Sequence, residues 1–207
     1  GIGLAFFIMI GAIIDIAERI GLFRVPVLAA WQRAIGLPRS VWGTALAHFG
    51  IAVTLLGIVG VSTWASELIV AMKPKQTVSL SGYELAFEGL VQRSGPNYRE
   101  AAARFTVREG GVPIATMEPS KRSFTARATT TTEAALLTRG FSQLYLSLGD
   151  VNSDGSISVR LYHKPLVLLI WLGAVVMAFG AALSLSDRRL RIGIPKPATK
   201  SMMQPAE

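Results

Sequence analysis

Between Val41 and Trp64 the chain runs through 24 residues, VWGTALAHFGIAVTLLGIVGVSTW, without one Asp, Glu, Lys or Arg. As a helix this run reaches about 36 Å, enough to cross the hydrocarbon of a bilayer. One ionisable side chain lies inside it, His48, about 10 Å in from the Val41 end. A histidine in hydrocarbon is costly unless something uses it, so it is a candidate functional group. It can equally be a neutral imidazole hydrogen-bonding a neighbouring helix as packing glue. Gly43, Ala47, Gly50, Thr54, Gly57 and Val61 recur at alternating spacings of four and three, a mostly small-residue stripe that invites another helix close. His48 lies about 100° round from Ala47, among Val41, Thr44, Ile51, Ala52 and Leu55. None of these carries a carboxylate to stabilise an imidazolium, so a neutral ring is expected, the form that ligates a metal. This face suits a planar apolar cofactor.

A second charge-free stretch, PLVLLIWLGAVVMAFGAALSLS, occupies Pro165–Ser186. The opening Gly1–Ile14 is as apolar but short, and it lacks the basic start and cleavage site of a signal peptide. It is expected to be the end of a spanning helix that begins outside this sequence, making the chain the C-terminal part of something longer. Arg19, Arg24, Arg33 and Arg39 cluster in 15–40, and Arg188, Arg189, Arg191, Lys196 and Lys200 in the tail 187–207. Residues 65–164 hold 12 basic and 9 acidic side chains, nearly balanced for their length. Short basic loops stay in the cytoplasm, so 15–40 is expected to be a cytoplasmic connector and 187–207 a cytoplasmic tail, with 65–164 facing outward. The net charge of +8 is then mainly topology. Nucleic-acid binding is disfavoured, since no basic, aromatic-studded surface on a soluble domain is present. With no cysteine the exported segment must rest on its core, and a partner must supply any thiol chemistry.

Within the connector, Leu22, Val25, Ala29, Trp31 and Ile35 suggest a short amphipathic helix at the membrane surface, although a solvated basic loop fits almost as well. The outward segment reads as β. Thr77–Leu80 with Tyr83–Leu90, Arg104–Arg108 with Val112–Glu118, and Phe141–Leu148 with Ser156–Tyr162 each flank turn residues. Six or seven antiparallel strands in about 100 residues fit a small barrel or sandwich. Ser94–Tyr98 and Ala126–Arg139, with its four successive threonines, are expected to be irregular loops. The fold class is therefore a polytopic α-helical membrane protein with an inserted extracytoplasmic antiparallel β domain.

No catalytic set is visible: two histidines and no cysteine leave little material for a triad or a zinc site. No glycine-rich phosphate loop occurs. Lys121, Arg122, Arg127 and Arg139 can meet carboxylates such as porphyrin propionates, or form a solvated face, the more ordinary role. His163, between Tyr162 and Lys164, suits the membrane interface.

Four stretches together resemble a known family: LPRSVWGTALAHFGIAVTLLGI at 37–58, GPNY at 95–98, TTEAALLTRGFSQLYLSLGD at 131–150 and RLYHKPLVLLIWLGAVVMAFGAALSLSDRR at 160–189. They are similar to the C-terminal portion of the CcmF family of cytochrome c-type biogenesis proteins, the membrane subunits of the bacterial cytochrome c heme lyase. The resemblance implies an inner-membrane location and a periplasmic β domain. It implies heme received from a periplasmic heme chaperone and joined to apocytochrome c with a thiol-handling heme lyase subunit. It also implies heme b held in the membrane between two histidines on different helices. The match of ALAHFG makes His48 an axial ligand of that heme iron, the second ligand lying outside this chain, in the N-terminal remainder of the protein. The family's tryptophan-rich heme-handling segment belongs to that remainder, and the four tryptophans here are scattered. No ligand role passes to His163, where the family has an aromatic. The chain alone is not expected to be catalytic. Other classes the residues admit are a membrane sensor or transport component, for which the tail is too short to hold an output domain, and a structural scaffold in which His48 only packs.

Overall fold

A computed structural model describes residues 1–126 and 129–187. Helix α1 spans Ile2–Ile20, α2 Val27–Gly36, α3 Arg39–Trp64 and α4 Val167–Leu185. Between α3 and α4 lie ten strands: β1 (Ser66–Met72), β2 (Thr77–Leu80), β3 (Tyr83–Ser94), β4 (Tyr98–Glu109), β5 (Val112–Met117), β6 (Ser120–Phe124), β7 (Thr129–Glu133), β8 (Ala135–Arg139), β9 (Ser142–Val151) and β10 (Ile157–Lys164). One sheet has the order β1-β10-β9-β8; the other runs β2-β3-β4-β6-β7, with β5 also on β4.

The alternation in the sequence builds the core. Tyr83, Leu85 and Phe87 on β3, Ala103, Phe105 and Val107 on β4, Leu144, Leu146 and Leu148 on β9, and Ile157, Val159 and Leu161 on β10 all point inward between the two sheets. Phe87 stacks on Phe105 with ring centroids 4.9 Å apart. Two faces filled this way make a sandwich, not a barrel.

The same pairing fixes the helices. Strand β1 begins two residues after α3, β10 ends three before α4, and the two strands zip antiparallel with Ser66 opposite His163. The end of α3 is thereby held beside the start of α4, and the helices run back antiparallel. Their seam is the small-residue stripe. A Cβ on Gly43 would lie 2.5 Å from the Gly180 carbonyl oxygen, and one on Gly50 would lie 2.7 Å from that of Gly173. At the far end Asp187 Oδ2 accepts from the Ser40 amide at 3.0 Å and from its hydroxyl at 2.9 Å, so the end of α4 satisfies the first turn of α3.

Three expectations change. Helix α1 does not stop with the apolar run at Ile14 but continues to Ile20, with Asp15 and Arg19, one turn apart, paired on its surface. The run 126–139 is not an irregular loop: apart from 127 and 128, outside the described residues, it is mostly β7 and β8. Ten strands replace six or seven among the described residues, since β1, β6, β7 and β8 lack a hairpin signature. The expected basic tail, beyond Asp187, also lies outside the described residues. Helix α2 does form where the connector's apolar residues cluster, with Val27, Leu28, Trp31 and Ile35 exposed along it.

Candidate functional site

His48 projects from the first half of α3 on a face that α4 does not cover. Its Nδ1 lies 2.8 Å from the Thr44 carbonyl oxygen, one turn back on the same helix. A carbonyl can only accept, so Nδ1 carries a proton, and in the neutral ring Nε2 is the nitrogen with the lone pair. That is the geometry by which a backbone carbonyl orients a metal-ligating imidazole. Among the described residues this is the only hydrogen bond the ring makes.

The ring opens into a cleft of about 450 Å³ between α1 and α3, within the roughly 300–1,000 Å³ range of cofactor sites. Phe7, Ile8 and Gly11 of α1 face Thr44 and His48 across it. A Cβ on Gly11 would meet nothing within 4 Å, so the space beside this glycine is open. One end of the cleft carries Asp15 and Arg19. Arg19 Nε donates to both carboxylate oxygens of Asp15 at 3.0 Å. The expectation that no carboxylate lies near His48 holds for α3 alone; the packing of α1 brings Asp15 into the same cleft. This is the feature the sequence reading missed, and its signal was an i,i+4 acid–arginine pair closing an otherwise apolar helix.

A tetrapyrrole fits this donor set in three respects: a free imidazole Nε2 of fixed tautomer, apolar walls, and a cation at one end. Among the described residues the cleft offers one imidazole only. His163 sits at the end of β10, beyond the opposite end of α3 and about 25 Å along it, with its ring 6.0 Å from that of Tyr83. The structure does not bring the two histidines together. Among the described residues no group of three or more acidic, His or Cys side chains could hold another metal ion.

The candidate basic side chains Lys121, Arg122 and Arg139 are already engaged. Arg122 Nε donates to Glu100 at 2.9 Å and its guanidinium lies over the Tyr98 ring. Lys121 pairs with Asp150 at 2.7 Å and Arg139 with Glu109 at 3.1 Å. Arg127 lies outside the described residues. The Ser120 hydroxyl, with Arg122 behind it, holds the Glu100 carboxyl below the usual carboxylate range. Arg104 and Arg93 do the same for Glu118. These pairs lie within the sandwich.

The described chain is a β-sandwich mounted on two helices long and apolar enough to cross a membrane, one of which lines a cleft with a histidine. Residues 63–165 match the family model described as the CcmF C-terminal beta-sandwich. The whole chain is 60% identical to cytochrome c-type biogenesis protein CycK of Bradyrhizobium diazoefficiens, of which it covers 31%. Over 162 residues, 78% of the chain, it is 40% identical to CcmF of Pseudomonas aeruginosa, covering 24% of that protein. The solved structure of a cytochrome c heme lyase CcmF shares the fold at a TM-score of 0.63 and 17% identity, over 86% of this chain and 34% of that one. The chain belongs to the CcmF family of cytochrome c-type biogenesis proteins and corresponds to its C-terminal part. It spans between about a quarter and a third of the length of the curated relatives it matches.

Proposed function

We propose that this chain is the C-terminal part of a heme lyase subunit for cytochrome c maturation, and that His48 Nε2 is one axial ligand of a b-type heme in the membrane. The observation that carries the reading is the Thr44 carbonyl on His48 Nδ1, which leaves Nε2 of the neutral ring to ligate, on a side chain that lines the cleft. The cytochrome c biogenesis role borne in the relatives' names supports it. The second ligand comes from the N-terminal remainder of the protein. Helices α3 and α4 cross the bacterial inner membrane and the sandwich faces the periplasm, as the basic connector and tail favour. There it meets a periplasmic heme chaperone, a thiol-handling heme lyase subunit and apocytochrome c. Having no cysteine, the chain leaves thiol chemistry to those partners. When bound, such a heme supplies one-electron transfer, with a potential tuned by its ligands and burial. What the residues here do is orient the imidazole and line the apolar walls.

The test is a reduced-minus-oxidised absorbance spectrum of the full-length protein in detergent, wild type against His48→Ala. Bis-histidine heme bands in the wild type that fall several-fold in the variant are expected. An unchanged spectrum removes the ligand role and leaves His48 as packing.

A further inference from the structure

The cleft beside His48 is graded in polarity along its length. Phe7, Ile8 and Gly11 make its walls apolar at the imidazole, and two turns further along α1 it ends at Arg19, about 12 Å from Gly11 along the helix axis. Asp15 engages Arg19 only through Nε. A guanidinium has five N–H donors in a planar fork, and this arrangement leaves the four on its two Nη atoms for a further acceptor. Asp15 therefore fixes the plane of the guanidinium without using up its charge. Its complement is a flat apolar molecule with a carboxylate at one edge.

We infer that Arg19 is the carboxylate anchor of the cleft: its Nη groups hold a propionate of the tetrapyrrole whose iron His48 ligates, with Asp15 as the positioning residue. This inference rests on the heme reading above. Charge-assisted pairing of a carboxylate with an arginine fork is stronger than a neutral hydrogen bond and specific in direction, so it sets how the ring enters as well as how tightly.

The experiment titrates two probes, ferric heme and its dimethyl ester, into heme-depleted full-length protein in nanodiscs, read by absorbance. The ester keeps the iron and ring but has no carboxylate. Wild type is expected to bind heme roughly tenfold or more tighter than the ester, the scale of a lost hydrogen bond to a charged group. Arg19→Gln is expected to bind heme as weakly as wild type binds the ester and to show no preference between them, while Arg19→Lys keeps part of the preference. Equal binding of both probes by wild type overturns the anchor whatever the variants do, as does a preference that survives in Arg19→Gln. In both cases the axial-ligand reading stands if His48→Ala loses the bis-histidine spectrum. Should His48→Ala bind heme with an unaltered spectrum, the ligand reading fails and the anchor falls with it.

Discussion

At the scale of residues, the hydrogen bonds around two side chains decide most. His48 is an ordinary helical histidine until its Nδ1 is tied to the Thr44 carbonyl. The imidazole and its spacing were legible in the sequence; Arg19 and Asp15 in the same cleft were not, because only the packing of α1 on α3 brings them there. In the sandwich, Asp154 is the most perturbed acid. The buried Ser156 hydroxyl at 2.6 Å, the Ser156 amide at 3.0 Å and Lys73 at 3.2 Å hold its carboxyl at about 2, below the ordinary 3.8. A depressed folded value means the stabilisation is present in full above the unfolded value and is lost as pH falls through the folded one. Melting temperature measured against pH is thus expected to drop between about pH 4 and 2. Asp154→Asn is expected to flatten part of that drop and to melt lower at neutral pH; an identical profile in the variant contradicts the assignment.

Among the elements, α3 and α4 depend on backbone contact. Gly50 faces the Gly173 carbonyl so closely that a side chain meets backbone, which cannot step aside. Gly50→Val is expected to destabilise the helix pair by about 1–3 kcal/mol, the usual cost of overpacking, measured as a lowered unfolding midpoint in detergent. Substituting the exposed Ile58 by Val is the control and is expected to change little. Asp187→Ala removes the acceptor of the Ser40 amide and hydroxyl, and a loss of about 1 kcal/mol is expected by analogy with helix caps. The glycine stripe could be read directly, since its spacing on a helix is a statement about one face. Strand β7 could not: Thr129–Thr132 are all exposed on the edge of its sheet, so no alternation marks them. Strand β6, SKRSF, hides for a related reason, its polar residues being matched by partners on β4 and β7.

The whole molecule is organised by one long-range pairing, β1 on β10, between segments about 90 residues apart. It closes the sandwich and brings α3 and α4 together, and no local pattern announces it. The three hairpins were legible because each is a local contact with turn residues between its strands. Removing the inner ring of Phe105→Ala is expected to cost about 3–5 kcal/mol, seen as loss of the sandwich's cooperative melt. Because the proposed heme ligation draws on more than this chain, the decisive measurement uses the full-length protein: the reduced heme spectrum of His48→Gly with and without added imidazole. If His48 Nε2 grips the iron, the variant loses the bis-histidine bands and free imidazole, entering the vacated space, restores them. Bis-histidine bands in the variant without imidazole would contradict the account.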